Sequence, residues 1–281
     1  MVTFGIKTSQ PGATFEELAD LWTAAEQVGF TSAWIYDHLT ALGDTTEPTL
    51  EAWTLLSALA VRTQNIRLGV LVTDNSLRHP ALLAREAVTV DHISHGRLDF
   101  GLGAGNPRSE ADYRAYGITA SPIGERVGKL DEACQVINAL WTQESVTFAG
   151  KYYQLDDARP AIRPVQRPRP PIWIGGSGDR VLRIVARNAD GWNYTGPVER
   201  FAERATYLRS VMERYGREPD EITFSAQFFL RGKPTDQIRA EVDAYTRAGA
   251  KSLLAIIETP YSTAAVEYAA RALFGSSGRR D

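Results

Sequence analysis

Short apolar runs alternate with longer segments of helical periodicity through the first half of the chain. The apolar runs, each of a length suited to one buried strand, are residues 2–7, 31–36, 66–73 and 98–102. Between them, segments 14–29, 50–62 and 80–93 carry apolar residues at helical spacing. Strict alternation of this kind predicts parallel strands joined by crossover helices. Its spacing is that of an eightfold barrel.

The second half of the chain is less regular. Residues 124–141 predict a helix, residues 145–155 a hairpin around Ala149-Gly150, and the proline-rich residues 160–171 a rigid loop or a domain linker. Four further strands (172–174, 191–193, 222–229 and 252–257) alternate with helices at 180–188, 198–215, 235–248 and 263–273. We therefore predict an α/β fold, a (β/α)8 TIM barrel in a single domain over residues 1–281. A hairpin-containing insertion is expected at about 106–170, after the fourth strand, and a frayed tail at 275–281.

Composition narrows the functional classes. The net charge is -3, with 31 basic and 34 acidic residues, so there is no basic excess of the kind that nucleic-acid binding requires. The first residues do not form a signal peptide, and no apolar run is long enough to span a membrane, so a cytoplasmic protein is expected. The single cysteine, Cys134, excludes an internal disulfide and a cysteine zinc cluster, and its apolar neighbours predict a buried thiol.

Polar residues follow the predicted strands where the strands end. Lys7, Asp37-His38, Asn193, Gln227 and Glu258 all lie at such ends, and in a barrel these ends form the active-site face. The pair Asp37-His38 is the best catalytic candidate, because a histidine there can donate or accept a proton near neutral pH. The alternative is that Asp37 caps the loop by accepting hydrogen bonds from nearby backbone amides.

Two glycine-rich turns follow successive strands. They are Gly103-Ala104-Gly105, with Asn106 next, and Gly175-Gly176-Ser177-Gly178. Together their backbone amides could bind a phosphate from two sides. Neither turn fits a dinucleotide fingerprint, and the chain has no P-loop or Gly-x-Ser-x-Gly elbow. No histidine or carboxylate pair has a metal-binding spacing, and His79, His92 and His95 are interpreted as structural.

Several motifs in order give the chain a strong resemblance to the bacterial luciferase-like family. They are Tyr36-Asp37-His38, 68–73, Arg78-His79-Pro80, 89–91, Ser94-His95-Gly96-Arg97, 101–105, 163–168 and 171–176. The resemblance implies an eightfold barrel with an insertion and a flavin or deazaflavin bound at the carboxyl ends of the strands. The Asp-His pair and the compact length are most similar to the branch that uses coenzyme F420, a deazaflavin.

The resemblance also implies roles for individual residues. Asp37 and His38 would lie beside the deazaflavin ring, with His38 as proton donor or acceptor to the substrate. Leu71, Val72 and Thr73 would back the ring, with a non-proline cis peptide expected beside Leu71-Val72. The ribityl-phosphate arm would be held by the two glycine turns, Gly103, Ala104, Gly105 and Asn106 together with Gly175, Gly176, Ser177 and Gly178.

The chain departs from this branch at its catalytic positions. Asn106 stands where the sugar-phosphate dehydrogenases have a glutamate acid, and Leu39 and Leu42 stand where they carry a tryptophan. Lys7 replaces a glutamine found in many relatives. Because an amide cannot transfer a proton, His38 would act alone or with water, and we expect a substrate other than a sugar phosphate.

The leading interpretation is thus an F420-dependent oxidoreductase that passes a hydride between the deazaflavin and a small organic substrate. The alternatives are an FMN-dependent monooxygenase served by a flavin reductase, and a relative that binds a flavin without turnover.

Resemblance alone predicts a homodimer. Tyr152-Tyr153 could form its interface or the inner face of the hairpin. Trp34, Trp53, Trp173 and Trp192 could line the cavity, with core packing the safer assumption.

Overall fold

The computed structural model describes residues 2–41, 46–119 and 121–275. Leu42 and residues 276–281 of the expected frayed tail lie outside these ranges. None of the helices within the described ranges is long and apolar enough to cross a membrane.

Eleven strands occur in the described ranges. In chain order they are β1 (Thr3–Lys7), β2 (Ser32–Ile35), β3 (Arg67–Val70), β4 (Thr73–Asp74), β5 (Leu98–Gly103), β6 (Val146–Ala149), β7 (Gln154–Ala158), β8 (Ile172–Gly175), β9 (Gly191–Thr195), β10 (Thr223–Phe229) and β11 (Ser252–Ile256). All except β6 and β7 belong to one parallel sheet, whose strands are nearly fully buried.

Nine α-helices accompany them in the same ranges. They are α1 (Phe15–Gln27), α2 (Ala52–Arg62), α3 (Pro80–Ile93), α4 (Glu110–Ala115), α5 (Ile123–Thr142), α6 (Asp179–Asn188), α7 (Val198–Arg214), α8 (Thr235–Arg247) and α9 (Thr263–Phe274). Two short 3₁₀ helices lie at Pro107–Ser109 and Pro219–Glu221.

The parallel sheet closes into a barrel. Its order is β3-β2-β1-β11-β10-β9-β8-β5, and β3 pairs with β5 through Leu68 opposite Leu98. The short β4 continues the path of β3 and pairs with the carboxyl end of β5. The two segments β3 and β4 therefore count together as one of the eight strands of the barrel. The prediction of a (β/α)8 TIM barrel is therefore confirmed.

The helix boundaries follow from local sequence. Thr14 and Glu17 form a capping box at the start of α1, where Thr14 Oγ1 accepts from the Glu17 amide at 3.2 Å and a Glu17 carboxylate oxygen accepts from the Thr14 amide at 2.8 Å. Pro80 occupies the first turn of α3, where a missing amide hydrogen costs nothing. These signals set the residues at which α1 and α3 begin.

Helix α5 divides the expected insertion at 106–170 into two segments. It packs between α3 and α6 and so serves as the crossover helix between β5 and β8. The first inserted segment precedes α5. The second follows it and contains the predicted hairpin, β6 and β7, which pair in antiparallel fashion.

The hairpin tip is fastened to α5. The Glu132 carboxylate accepts the backbone amides of Lys151, Tyr152 and Tyr153 at 2.8 to 3.0 Å. Tyr152 lies over Gly128, and Tyr153 contacts His79 edge-on. Both tyrosines, which are partly buried, therefore pack against other parts of the same chain.

Two polar residues from the family-like motifs, Asp91 and Arg97, stabilise the end of the barrel opposite the carboxyl ends of its strands. Asp91 accepts the amides of Val165 and Gln166 at 2.7 and 3.1 Å, so the proline-rich segment is a fixed loop and not a linker. Arg97 donates to the carbonyl oxygens of Ala60 and Ile66 at 2.7 and 2.9 Å. These residues hold the scaffold opposite the site.

Candidate active site at the barrel mouth

The carboxyl ends of the barrel strands form one face, which we call the mouth. Around it, in barrel order, lie Lys7, Asp37-His38, Val72, Gly103–Asn106, 175–178, Asn193, Gln227 and Glu258. The expectation that the polar strand ends converge is confirmed. The structure then shows which of their side chains are committed to the scaffold.

The break between β3 and β4 is a non-proline cis peptide, Leu71-Val72, at the position expected from the resemblance. Val72 projects between two glycines of neighbouring strands. A Cβ added at Gly103 would lie 2.4 Å from Val72 Cγ2, and one added at Gly175 would lie 3.1 Å from Cγ1. These two glycines therefore admit the bulge that carries Val72, a role that their turn spacing did not reveal.

The residues flanking Val72 are buried. Leu71 packs with Trp34, Trp173 and Leu254 inside the barrel. Thr73 is fully buried, and its Oγ1 accepts from Trp53 Nε1 at 3.2 Å. Both side chains are thus part of the support, and Val72 is the one of the three that is partly exposed to the mouth.

The first glycine turn is packed against side chains of neighbouring segments. Gly105 has φ +79°, and a Cβ there would lie 2.5 Å from Tyr113 Oη. Asn106 Oδ1 accepts from the Arg108 amide at 2.9 Å and so caps the following 3₁₀ helix. Ala104 is partly buried against the core. What this turn can present to a ligand is therefore mainly its backbone.

The second glycine turn leads into the N-terminus of α6, which has no side-chain cap. Gly178 is the N-cap of α6, with φ -70°, no side-chain cap and no atom within 4 Å of an added Cβ. Trp192 Nε1 fixes the turn by donating to the Gly176 carbonyl at 2.7 Å. The first amides of α6 therefore have no side-chain acceptor at the N-cap, and Ser177 stands beside them. This arrangement fits a phosphate group.

Asp37 is committed to an ion pair. Its Oδ2 lies 2.6 Å from Arg78 Nη1 and its Oδ1 3.2 Å from Arg78 Nη2. Oδ2 also accepts the Asp74 amide at 3.1 Å. Burial raises the pKa of Asp37, and the Arg78 contact opposes that rise. The carboxylate thus contacts a guanidinium and one backbone amide of another loop, and the catalytic role expected for Asp37 stays a prediction.

His38 remains available at the mouth. It is partly buried, its ring centroid lies 4.7 Å from that of Tyr36, and Nδ1 lies 3.3 Å from Ser109 Oγ. Burial lowers the pKa of His38 below its ordinary value. The imidazole is therefore neutral at neutral pH. Among the described residues Nε2 has no hydrogen-bond partner, so it is the ring atom available to a ligand.

A short segment, residues 106–119, covers this histidine. Thr40 Oγ1 donates to Asp112 Oδ2 at 2.9 Å, and Tyr113 Oη donates to Asp74. Ser109, Asp112 and Tyr113 were not among the predicted site residues. Their only sequence signal is helical spacing after the glycine turn, which does not show the direction in which the segment folds.

Lys7 starts a chain of hydrogen bonds across the mouth. Its Nζ donates to Gln227 Oε1 at 3.1 Å, and Gln227 Nε2 donates to Asn193 Oδ1 at 2.5 Å. Asn193 Nδ2 donates in turn to Ser225 Oγ at 2.9 Å. Burial lowers the pKa of Lys7 to about 8.

A cavity of about 640 Å³ lies beside the mouth, where β10 and β11 end. Its lining residues include Leu230, Arg231, Ile256, Glu258 and Tyr268. In the barrel order, only β9 lies between β10 and β8, the strand that leads into the second glycine turn, and on the other side Ile256 is the register partner of Lys7. No sequence motif marks this cavity, because its walls come from two distant loops and α9.

The other sequence expectations fall outside the mouth or into the core. His79 caps α3, and His92 Nε2 lies 2.7 Å from the Arg163 carbonyl oxygen. Cys134 is a buried free thiol, and burial raises its pKa to about 12. Trp34, Trp53, Trp173 and Trp192 are all buried in the core. In the described part of the chain, no three His, Cys, Asp or Glu side chains are grouped as a metal site.

The sequence model of the luciferase-like monooxygenase family matches residues 1–277. An F420-dependent glucose-6-phosphate dehydrogenase of Nakamurella multipartita is 35% identical over 225 residues, which are 79% of this chain and 65% of that protein. The chain thus spans less than two thirds of that relative. A phthiodiolone/phenolphthiodiolone dimycocerosates ketoreductase of Mycobacterium sp. is 30% identical over 85% of this chain and 67% of its own length.

Among solved structures, the coenzyme F420-dependent tetrahydromethanopterin reductase of Methanopyrus kandleri has a TM-score of 0.82. The superposition covers 97% of this chain and 98% of that one at 20% identity. At that identity the likeness is one of fold.

Proposed function

This chain belongs to the luciferase-like monooxygenase family, and on that premise we propose that it is an F420-dependent oxidoreductase. It transfers a hydride between the deazaflavin and a small organic substrate, with His38 as the proton donor or acceptor. The observation that carries this proposal is the His38 imidazole at the mouth, held through Nδ1 by Ser109, on the same face as a bulge and an uncapped helix start that fit a ring and a phosphate.

The relatives support the choice of cofactor. Two proteins at least 30% identical to this chain are named for F420-dependent dehydrogenation and for ketone reduction. Both names describe the interconversion of a hydroxyl and a carbonyl group, so we propose the same reacting group here. FMN-dependent oxygenation is the rival within the family, and the cofactor distinguishes the two.

Particular residues fit the cofactor. The partly exposed Val72, seated between Gly103 and Gly175, offers the apolar surface against which a planar ring packs. The amides after Gly178 at the start of α6, with Ser177 beside them, would hold the phosphate, and the backbone of Gly103–Asn106 would close the other side. When bound, the deazaflavin supplies the hydride chemistry.

The chain's own contribution is proton handling and orientation. With Nδ1–H donating to Ser109 Oγ, the neutral His38 presents its Nε2 lone pair and can accept the proton of a substrate hydroxyl. In the reverse direction the protonated ring returns that proton. Asp37 acts indirectly. Its contacts with Arg78 and the Asp74 amide hold the loop after β2, which carries His38, against the bulge.

The substrate is proposed to differ from a sugar phosphate. Asn106 occupies the position at which the sugar-phosphate dehydrogenases have a glutamate acid. Its side-chain oxygen accepts the Arg108 amide, and its amide group cannot give a proton to a substrate. The cavity at the ends of β10 and β11 is within the range of small-molecule sites and gives the substrate a place beside the mouth.

Parallel titrations of the purified protein with coenzyme F420 and with FMN test the proposal, with cofactor fluorescence as the readout. We expect F420 to bind at least tenfold more tightly than FMN, and a set of secondary alcohols and ketones to change the absorbance of bound F420 without oxygen. Tight binding of FMN alone would replace this function with the monooxygenase. Binding of F420 with no turnover of any compound would favour a non-catalytic binding protein.

The assembly of the enzyme is a separate part of the proposal. We propose a single barrel domain that functions as a homodimer, as the family resemblance implies. Sedimentation equilibrium with and without F420 measures the mass directly, and a monomer at micromolar concentration in both states would contradict the dimer.

A further inference from the structure

Across the part of the chain that the structure describes, the ammonium group of Lys7 contacts neutral groups only. Gln227 accepts one of its three hydrogens through Oε1. The orientation of that amide is fixed, because its Nε2 donates to Asn193 Oδ1, and Asn193 donates onward to Ser225. Every link in this chain is an amide or a hydroxyl, so the positive charge at its end meets dipoles and no carboxylate.

Glu258, which also lies at the mouth, forms no ion pair with Lys7 in the described part of the chain, and three other carboxylates of the surrounding loops are engaged elsewhere. Asp37 is paired with Arg78, Asp74 accepts from Tyr113, and Asp112 accepts from Thr40. No ion pair of Lys7 occurs within the described ranges. The centroid of the Tyr36 ring is 6.0 Å from Nζ, and the charge of Lys7 adds to the effect of burial in lowering the pKa of His38.

An unbalanced charge that is partly buried has a cost. Taking an ammonium group out of water costs several kcal/mol unless an opposite charge compensates it. A scaffold residue with that cost would be expected to carry a counter-ion within the fold. The depressed pKa of Lys7, which comes from burial alone, agrees with the missing counter-ion.

We propose that Lys7 is the binding residue for an anionic oxygen group of the substrate, in the simplest case a carboxylate. This inference rests on the proposed function, since it assigns the substrate class of the same site. Lys7 Nζ and the His38 ring lie 6.0 and 4.7 Å from the centroid of the same Tyr36 ring, so a small acid whose carboxylate contacts Lys7 Nζ can place its neighbouring carbons near His38. Short 2-hydroxy or 2-oxo acids have this arrangement.

The position of Lys7 also relates it to the cavity. Ile256 pairs with Lys7 in the β1–β11 register and contributes to the cavity wall. A substrate held by its acid group at Lys7 can therefore extend its remaining atoms toward the apolar wall formed by β11 and α9. Substrate selection in this enzyme would combine one charge with an adjoining apolar surface.

The test is calorimetric titration of the free and the F420-loaded protein with pyruvate, and with acetone as the neutral analogue. At pH 6.5 we expect pyruvate to bind and acetone to bind at least tenfold more weakly. Above pH 8, as Lys7 loses its proton, pyruvate affinity should fall. Lys7→Met should weaken pyruvate binding about 10- to 100-fold, the scale of a hydrogen bond to a charged group.

Two control variants sharpen the result. Lys7→Arg keeps the charge and should retain part of the pyruvate affinity without the fall above pH 8. Lys151→Met removes an exposed lysine of the hairpin tip and should change nothing. Thermal melting of each variant shows whether it is folded.

Three results would overturn the inference. Pyruvate could fail to bind at pH 6.5, or bind Lys7→Met as tightly as the natural protein. Lys7→Met could also lose F420 affinity as strongly as pyruvate affinity, which would assign the charge to the cofactor. Failure of the natural protein to bind F420 would refute the proposed function, whereas pyruvate binding to the free protein, if dependent on Lys7, would still support this anion site.

Discussion

Asp37 and Arg78 form a two-point ion pair that ties the loop after β2 to the loop before α3. Only 4% of the Asp37 side chain is exposed, so its charge is compensated inside the protein. Arg78 also forms ion pairs with Glu51 and Glu86, so the removal of Asp37 takes away its most buried partner and leaves the other two. This contact explains why an aspartate precedes the candidate catalytic histidine: it fixes the backbone from which His38 projects.

Replacement of Asp37 by Asn should therefore reduce stability before it affects chemistry. We expect the free energy of unfolding to fall by about 1.5–3 kcal/mol, the scale of a hydrogen bond to a charged group, since Arg78 keeps its contacts with Glu51 and Glu86. Urea denaturation measures the change. Asp20→Asn is the matched control, because Asp20 forms an exposed pair with Arg62, and its effect should lie within error. An equally small effect at Asp37 would show that the pair is not part of the scaffold.

His38→Gln tests the proton-transfer role. We expect kcat to fall about 10²- to 10⁴-fold, the usual contribution of a general acid or base, with F420 affinity unchanged. His95→Asn, at the opposite end of the barrel, should leave both quantities unaltered. Comparable losses for both variants, or none for either, would remove His38 from the mechanism.

The pH profile of the alcohol-oxidising reaction gives an independent check on His38. Because burial lowers its pKa from the ordinary value of 6.5, the neutral base persists at pH 6.5 and is lost only below it. We expect kcat/KM to fall on the acid side below pH 6.5, and this limb to vanish in His38→Gln. A limb centred well above pH 7 would point to a different group.

The Val72 bulge should depend on its two glycines. In Gly103→Ala the new Cβ would lie 2.4 Å from Val72 Cγ2, so the bulge must shift, and we expect a loss of about 1–3 kcal/mol of stability together with weaker F420 binding. Adding Val72→Ala should recover most of the stability. Gly178→Ala has open space around it and should be nearly neutral to unfolding. If the double variant did not recover stability, Gly103 would be required for its backbone conformation and not for the space that Val72 occupies.

Lys7 should leave a signature in stability at alkaline pH. Its pKa is 10.5 in the unfolded chain and about 8 in the folded protein, so between these values the unfolded state binds more protons. Stability therefore rises with pH across that window through this group. The difference in unfolding free energy between the natural protein and Lys7→Met should shrink from pH 8 to pH 10.5, with the variant the more stable at neutral pH. A constant difference would contradict the depressed pKa.

The sequence by itself determined the barrel and its mouth. Alternation of apolar runs with helical segments is a local pattern, and each strand and helix obeys its own signals, as Thr14 and Pro80 show at helix starts. Because parallel strands put all their carboxyl ends on one face, the polar residues after them had to converge. The ordered motifs gave the family and, through it, the cis peptide at Leu71-Val72.

Tertiary structure alone decided what each polar residue is free to do. The pairing of Asp37 with Arg78, the covering of His38 by residues 106–119 and the neutral partners of Lys7 join segments far apart in the chain. Such contacts depend on the angle at which loops leave the barrel, which no local pattern records. The same holds for Gly103 and Gly175, whose missing side chains matter only because Val72 of another strand occupies the space.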